Sequence, residues 1–456
     1  MVRFPRGGFG LKAHPLQRVS FTHPHRTKIM CKAVPLFALP LLLAADWPTF
    51  LGPTQDGVSP EKGIVAPWPK EGLKKLWDCP LGTGYAPPVV AGGKLFHFDR
   101  VGDACRLTCR DAATGRQHWS YEYPTAYEDY YGYDPGPRAC PVVDGDRVYV
   151  VGPEGILACV AAADGKERWK LDTRAKYRFH QNFFGVGSVP VVEGDTLIVA
   201  VGGSPKGPRP ADLRDAKPDG SAVVGLDKLT GAERYRAGDE LASYSSPVVR
   251  TIDGKRTGLY FARGGLFAFD PGTGAKRFAF PWRSKLEESV NAANPLVVGD
   301  RVLLTECYGP GAVLLEAKNG ALKTLWTDDD KDRFEKSLLS HWSTPIHHNG
   351  FVYGSSGRHD TDADVRCVEL ATGDVKWTLR RASRCTFTLI DGHLLGLGEF
   401  GELFLFKANS ARYEEVSRYR VEELSYPCWT PPVVSDGRVY VRGKERLVCF
   451  ELVGKK

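Results

Sequence analysis

The hydrophobic pattern is clearest between Cys140 and Trp169. Three runs of apolar and β-branched residues are separated by the Asp144-Gly145 turn and a Pro153-Glu-Gly155 loop, and a second turn, Asp164-Gly165, leads to a short strand through Trp169. Period-two alternation bounded by Asp-Gly turns predicts β-hairpins, and the whole stretch predicts one four-stranded antiparallel meander. No segment carries a 3.6-residue periodicity long enough to predict a helix.

The meander repeats. A proline, two or three apolar residues and a Gly-containing turn recur at Pro88, Pro141, Pro190, Pro247, Pro295, Pro345 and Pro432, with Phe387 holding the equivalent place in the remaining unit. Eight openings spaced by 42 to 57 residues have the period of a β-propeller. The closing half recurs too: Cys109 to Gly115 and Trp119, Cys159 to Gly165 and Trp169, Gly225 to Gly231 and Tyr235. It returns as Ala268 to Gly274 and Phe278, and as Cys367 to Gly373 and Trp377. In each, a small residue opens the motif and an aromatic ring follows four places after the glycine. These rings share one side of the outer strand, where they are expected to stack on the small residue of a neighbouring sheet. Unit five is off register, with Trp326 six places after Gly320, and unit seven lacks the glycine in Lys407-Ala-Asn-Ser-Ala.

The eighth unit stops at Lys456 without an outer strand. The unpaired strand near the start, Leu73 to Pro80, carries Trp77, and pairing it near Cys449 would close the ring and remove two exposed edges. The expected fold is therefore all-β: a single eight-bladed propeller over 72–456 closed by an N-terminal strand. A chain of 456 residues would otherwise suggest two or three domains, but one closed repeat needs only one.

Ahead of the ring lie three segments. Residues 30–45, with one lysine, a short apolar core and a small-residue end, predict an export signal, and 46–71 form a lead into the ring. Residues 1–29 read as an over-extended start or an atypical leader. The expected location is periplasmic or extracellular, with no transmembrane segment. Net charge is +7, from 61 basic and 54 acidic residues scattered over the outer strands, which argues against a nucleic-acid surface. Of the 11 cysteines, Cys109, Cys159, Cys367 and Cys449 occupy the small motif position and read as buried hydrophobes. Cys79, Cys105, Cys140, Cys307, Cys385 and Cys428 leave disulfides open, with no pairing readable.

The closing motif, small-x-Asp-x-x-Thr-Gly-x-x-x-Trp, resembles the tryptophan-docking motif of pyrroloquinoline-quinone (PQQ) repeat propellers, over Leu73 to Lys456. The lead Asp46-Trp-Pro-Thr-Phe-Leu-Gly-Pro-Thr-Gln-Asp-Gly resembles the start of exported PQQ-like proteins common in planctomycete bacteria. That fold family includes quinoprotein alcohol dehydrogenases and the cofactor-free propeller lipoprotein of outer-membrane assembly, so it implies a fold rather than a function. Its dehydrogenases use an adjacent Cys-Cys disulfide and a Trp against the quinone, with Glu, Asn and Asp holding calcium. No adjacent Cys pair occurs here. PQQ with calcium is the alternative, with Trp342 or Trp429 to stack the ring and Asn294 and Glu306 to supply oxygens.

In such a blade, with strands A to D running outward, the A–B and C–D turns lie on one face. Here they are short, whereas the long D–A connections (121–139, 174–188, 283–294, 327–343) and B–C loops (203–221, 357–364) all lie on the other, which marks a binding face. Residues just before the A strands converge on its channel mouth: Tyr85, Arg138, Phe184, Tyr244, Asn291, Asn294, His341, Trp342, Arg384 and Trp429. They suit a protein, peptide, glycan or small-molecule ligand, and the chain is expected to act as a monomeric binding or assembly scaffold without a cofactor. Asp360, Asp362 and Asp364 have calcium-loop spacing but lack the loop's glycine and glutamate, and His347-His348 point to opposite sides of one strand, so no metal site is expected.

Overall fold

The structure is a computed structural model that describes residues 45–180, 183–207 and 215–454. The expected leader and all but the last residue of the export signal lie outside the described residues. Eight four-stranded antiparallel sheets follow one another, each with strands in the order A-B-C-D. In blade two these are Val142–Asp144, Arg147–Val151, Ile156–Ala161 and Glu167–Asp172. Strands B and C are covered by other blades on both sides, so they are buried along nearly their whole length and read as continuous apolar runs. The D strand alternates half-buried with exposed positions, which is the period a sheet edge facing water should show. The one helix among the described residues is a single turn, Thr173–Tyr177, with Asp172 as N-cap accepting from the Ala175 N–H at 2.8 Å.

Closure is made by Lys75–Pro80, which pairs antiparallel with Arg446–Glu451 and sets Trp77 opposite Cys449. The ring therefore ends on a strand from its own beginning, leaving no open edge between the last blade and the first.

The docking motif works differently from the expectation. The small residue lies in the same sheet as its ring: Trp119 pairs across the strands with Cys109, Trp169 with Cys159, Tyr235 with Gly225 and Trp377 with Cys367. A bulge after each turn shifts the register so that the ring lands there. The neighbouring blade contributes the turn glycine, which lies under the ring. The Trp77 ring covers Gly115 and donates Nε1–H to the Ala112 carbonyl at 3.1 Å; the Trp169 ring covers Gly231 and donates to the Lys228 carbonyl at 3.3 Å. Trp326, despite its shifted spacing, covers Gly373 and donates to the Leu370 carbonyl at 2.9 Å. Trp377 reaches the glycine-free turn of blade seven, donating to the Asn409 carbonyl at 2.8 Å. Small residues are needed because in blades one, two, six and eight a second ring on strand B flanks the same spot, as with Tyr149, Cys159 and Trp169. The turn itself is held by its aspartate: Asp111 Oδ1 accepts from the Thr114 N–H and hydroxyl, both at 2.8 Å.

The lead segment 46–71 has a structural task that its sequence does not reveal. Trp47 exchanges backbone hydrogen bonds with Val90 of blade one, and the Pro48 carbonyl accepts from Val143 of blade two. The Thr54 and Gln55 carbonyls accept from Arg250 of blade four at 2.5 and 3.0 Å. Val58–Ser59 then pair parallel with the A strand of blade seven, Cys385–Ile390. A segment touching the inner strands of blades one, two, four and seven crosses the central channel, and it does so with Trp47 and Leu51 buried. All ten cysteines among the described residues are free and buried.

Candidate functional site

Seven of the eight A strands start after a proline, whose fixed φ and missing N–H end the preceding loop at the channel wall. The side chains before those prolines enclose a cavity of about 470 Å³ on the face of the long loops. Its floor is Phe50 and Leu51 of the crossing lead segment, so the channel is a one-ended pocket here.

One wall is built by the loop of blade one. Asp129, buried, accepts N–H groups from Tyr131 at 2.8 Å, Tyr133 at 3.1 Å and Asp134 at 2.7 Å, which fixes the loop around a single carboxylate. It also accepts from Arg138 at 3.3 Å, and the Arg138 guanidinium lies 5.4 Å from the Tyr85 ring and 5.5 Å from Phe184. The Phe184 N–H in turn donates to the Tyr244 hydroxyl at 2.6 Å.

The opposite wall rests on Glu399, fully buried behind the cavity. Arg384 grips it bidentately, Nε to Oε1 at 3.0 Å and Nη2 to Oε2 at 2.6 Å, and Trp429 donates Nε1–H to the same carboxylate at 3.3 Å. Arg384 also lies 4.6 Å from the Trp342 ring, so one buried carboxylate orients a cation and two indoles together. Tyr308 meets His341 Nε2 at 2.9 Å, and Arg358 lies 4.5 Å from the Tyr308 ring. Burial first, then the Arg384 and Arg358 charges, push the His341 imidazole down to about 3, so it is neutral near pH 7. Burial likewise raises the Tyr85, Tyr244 and Tyr308 phenols.

Eight of the ten residues singled out in the sequence line this cavity: Tyr85, Arg138, Phe184, Tyr244, His341, Trp342, Arg384 and Trp429. Asn291 and Asn294 do not. Asn291 Nδ2 donates to the Ala262 carbonyl at 2.7 Å, and Asn294 Oδ1 accepts from the Ser246 N–H at 2.7 Å, so both tie adjacent loops together outside the cavity lining. The sequence reading missed Tyr308 and Arg358, which come from B–C loops, and the floor residues Phe50 and Leu51. The loops carrying Tyr308 and Arg358 share the mouth with the D–A connections, and that geometry was the available signal.

The lining contains three arginines and no aspartate or glutamate. A calcium-bound quinone needs oxygen ligands facing the cavity. Glu306 instead accepts from the Ser289 hydroxyl at 2.8 Å and the Tyr308 and Gly309 N–H groups at 3.0 Å, and Asn294 is engaged as above. Among the described residues no group of three His, Cys, Asp or Glu side chains could hold a metal ion. This donor set does not fit calcium with PQQ. The calcium-like spacing at 360–364 resolves the same way, since Asp362 accepts from Arg333 and Asp364 from Arg366.

A family model described as outer membrane protein assembly factor BamB matches residues 62–204 and 132–379. Among curated proteins, the chain is 27% identical over 131 residues to the serine/threonine-protein kinase AfsK of Streptomyces griseus, which is 28% of this chain but only 16% of that protein. Among solved structures, BamB from Moraxella catarrhalis superposes with a TM-score of 0.55 at 16% identity, covering 84% of this chain and 99% of that one. A quinohemoprotein alcohol dehydrogenase from Comamonas testosteroni gives 0.57 at 14%, covering 90% and 81%. A europium-containing methanol dehydrogenase gives 0.60 at 12%, covering 89% of each chain. At these identities the structural likeness is one of fold. No helix among the described residues is long and apolar enough to cross a membrane.

Proposed function

The chain belongs to the PQQ-repeat β-propeller family whose model is described as outer membrane protein assembly factor BamB, and from that premise we propose that it is an exported binding scaffold that captures its ligand at the loop-rich channel mouth. The observation that carries this reading is the composition of the cavity: aromatic walls and three arginines, closed below by the lead segment, with no carboxylate in the lining. Such a lining recognises and holds. It offers no carboxylate base and no oxygen cage for a metal, which a quinone-dependent alcohol oxidation would require. Export accords with the 30–45 segment of the sequence and with the family.

The test is a titration of the purified protein with PQQ and calcium, followed by absorbance and by dye reduction with simple alcohols. The expected result is neither stoichiometric binding nor alcohol-dependent dye reduction. Stoichiometric binding with turnover would replace this reading by a PQQ-dependent oxidoreductase.

A further inference from the structure

The rings at the mouth form a connected series that Arg138 bridges at one point. It starts at Tyr130 and Tyr131, 66% and 48% exposed and 5.1 Å apart, and runs through Tyr133, 67% exposed, to Phe184 at 5.9 Å. Arg138 bridges Phe184 to Tyr85, and the line continues from Tyr85 to Trp429 at 4.8 Å, Trp342 at 5.1 Å and His341 at 4.9 Å. It ends at Tyr308, beneath Arg358. Adjoining exposed tyrosines at the rim of a cavity mark an interaction surface.

The three cavity arginines differ. Arg138 is paired with Asp129 and Arg384 with Glu399. Among the described residues, neither a carboxylate nor a hydrogen-bond acceptor engages the Arg358 guanidinium, whose partner is the Tyr308 ring face. In the wall of the same cavity, Trp342 Nε1 and the Ser343 hydroxyl are buried without a hydrogen-bond partner. An uncompensated guanidinium in a cavity with no carboxylate in its lining is a site for an anionic group.

We propose that the mouth binds the end of an acidic saccharide chain, with a uronate carboxylate at Arg358 and successive sugar rings stacked along the aromatic line outward to Tyr131 and Tyr130. This rests on the reading of the mouth as a ligand site and names the ligand class. Sugar rings present flat C–H faces to aromatic rings and hydroxyls to their edges, and an extended run of rings suits a chain of repeating flat units. An extended peptide would instead need free backbone donors and acceptors. Pro87 and Pro431 of the lining, each followed by the proline that opens an A strand, have no N–H to offer at the mouth.

The experiment is calorimetry on the full chain with tetragalacturonate, monomeric galacturonate, neutral cellotetraose, and a free aromatic carboxylate, 2-naphthoate. Tetragalacturonate is expected to bind roughly tenfold or more tighter than cellotetraose, a preference that weakens with salt and disappears in Arg358→Ala, with melting unchanged. Tyr131→Ala with Tyr133→Ala should remove the advantage of the tetramer over the monomer and keep the acidic preference. Equal binding of acidic and neutral tetramers, or an Arg358→Ala variant that keeps the preference, overturns the proposal. Naphthoate binding with all saccharides silent sinks the saccharide assignment and leaves the mouth as a ligand site; silence of all four probes counts against both.

Discussion

The two faces of the propeller use aromatic residues in opposite ways. On the turn face, a ring from one blade covers the glycine of the next, and the same geometry recurs at Gly115, Gly165, Gly231, Gly274 and Gly373. On the mouth face the corresponding position, three residues before each A-strand proline or Phe387, varies around the ring: Tyr85, Arg138, Gly187, Tyr244, Ala292, Trp342, Arg384 and Trp429, with no two neighbouring blades alike. Repetition serves an interface that every blade must make. Divergence is affordable only where the blade contacts do not depend on the residue, and that is where a specific ligand can be read.

The largest break of this contrast is at closure. Deleting residues 46–81 removes Trp77, its strand and the channel floor, and should leave an exposed strand edge and an aggregating chain. Size-exclusion chromatography and melting check it; a monomeric variant with unchanged melting would refute the closure. Next in size, Trp169→Ala should cost roughly 3 kcal/mol or more, because its ring covers Gly231 and its Nε1–H satisfies the Lys228 carbonyl. Trp342→Ala at the mouth should cost well under half of that and act on binding instead, measurable by denaturant melts of the two variants side by side.

A pair of glycines sharpens the comparison further. Gly165 and Gly145 both have positive φ, +74° and +57°, so alanine strains each backbone by about 1 kcal/mol. A Cβ on Gly165 would come 2.5 Å from the Trp119 ring, whereas one on Gly145 meets nothing within 4 Å. Gly165→Ala should therefore lower the melting temperature clearly more than Gly145→Ala; equal losses would mean that the ring does not bear on the turn.

A pH effect involves a blade core and the mouth together. His97, buried in blade one, and His341 at the mouth are each pushed down to about 3, first by burial; neighbouring arginines add to this at both, while Asp99 opposes it at His97. The unfolded chain takes up these protons below about 6.5 while the folded one does not. Stability is therefore unaffected above that pH and falls as pH drops from about 6.5 towards 3. Melting should decline by several degrees across this window, with a shallower slope in His97→Gln. Stability that stays flat between pH 7 and 4 would show that the imidazoles are not held neutral.

The blade count, the closing strand and most of the mouth were legible in the sequence because each rests on spacing along one chain. A turn glycine and a ring four places on repeat visibly, and a missing last strand points to a spare first one. Asn291 and Asn294 misled because a residue's position before an A strand says where its backbone goes, while the nearest unpaired carbonyl or N–H decides where its amide turns. Arg358 and Tyr308 were missed because their loops come from strands B and C and meet the mouth only after folding.

By itself, then, the order of residues determined the repeat, the strands and the ring, since these follow from local alternation and turn chemistry. Three things were decided only by tertiary structure. Each docking ring covers the next blade's glycine rather than its small residue. The lead segment crosses the channel and floors it with Phe50 and Leu51. Among the described residues, Arg138 and Arg384 find carboxylates while Arg358 does not. The first two depend on contacts between residues far apart in sequence, and the third on which side chains a folded loop or hairpin brings within reach; the free energy of such contacts exists only once the chain has folded and excluded water from between its parts.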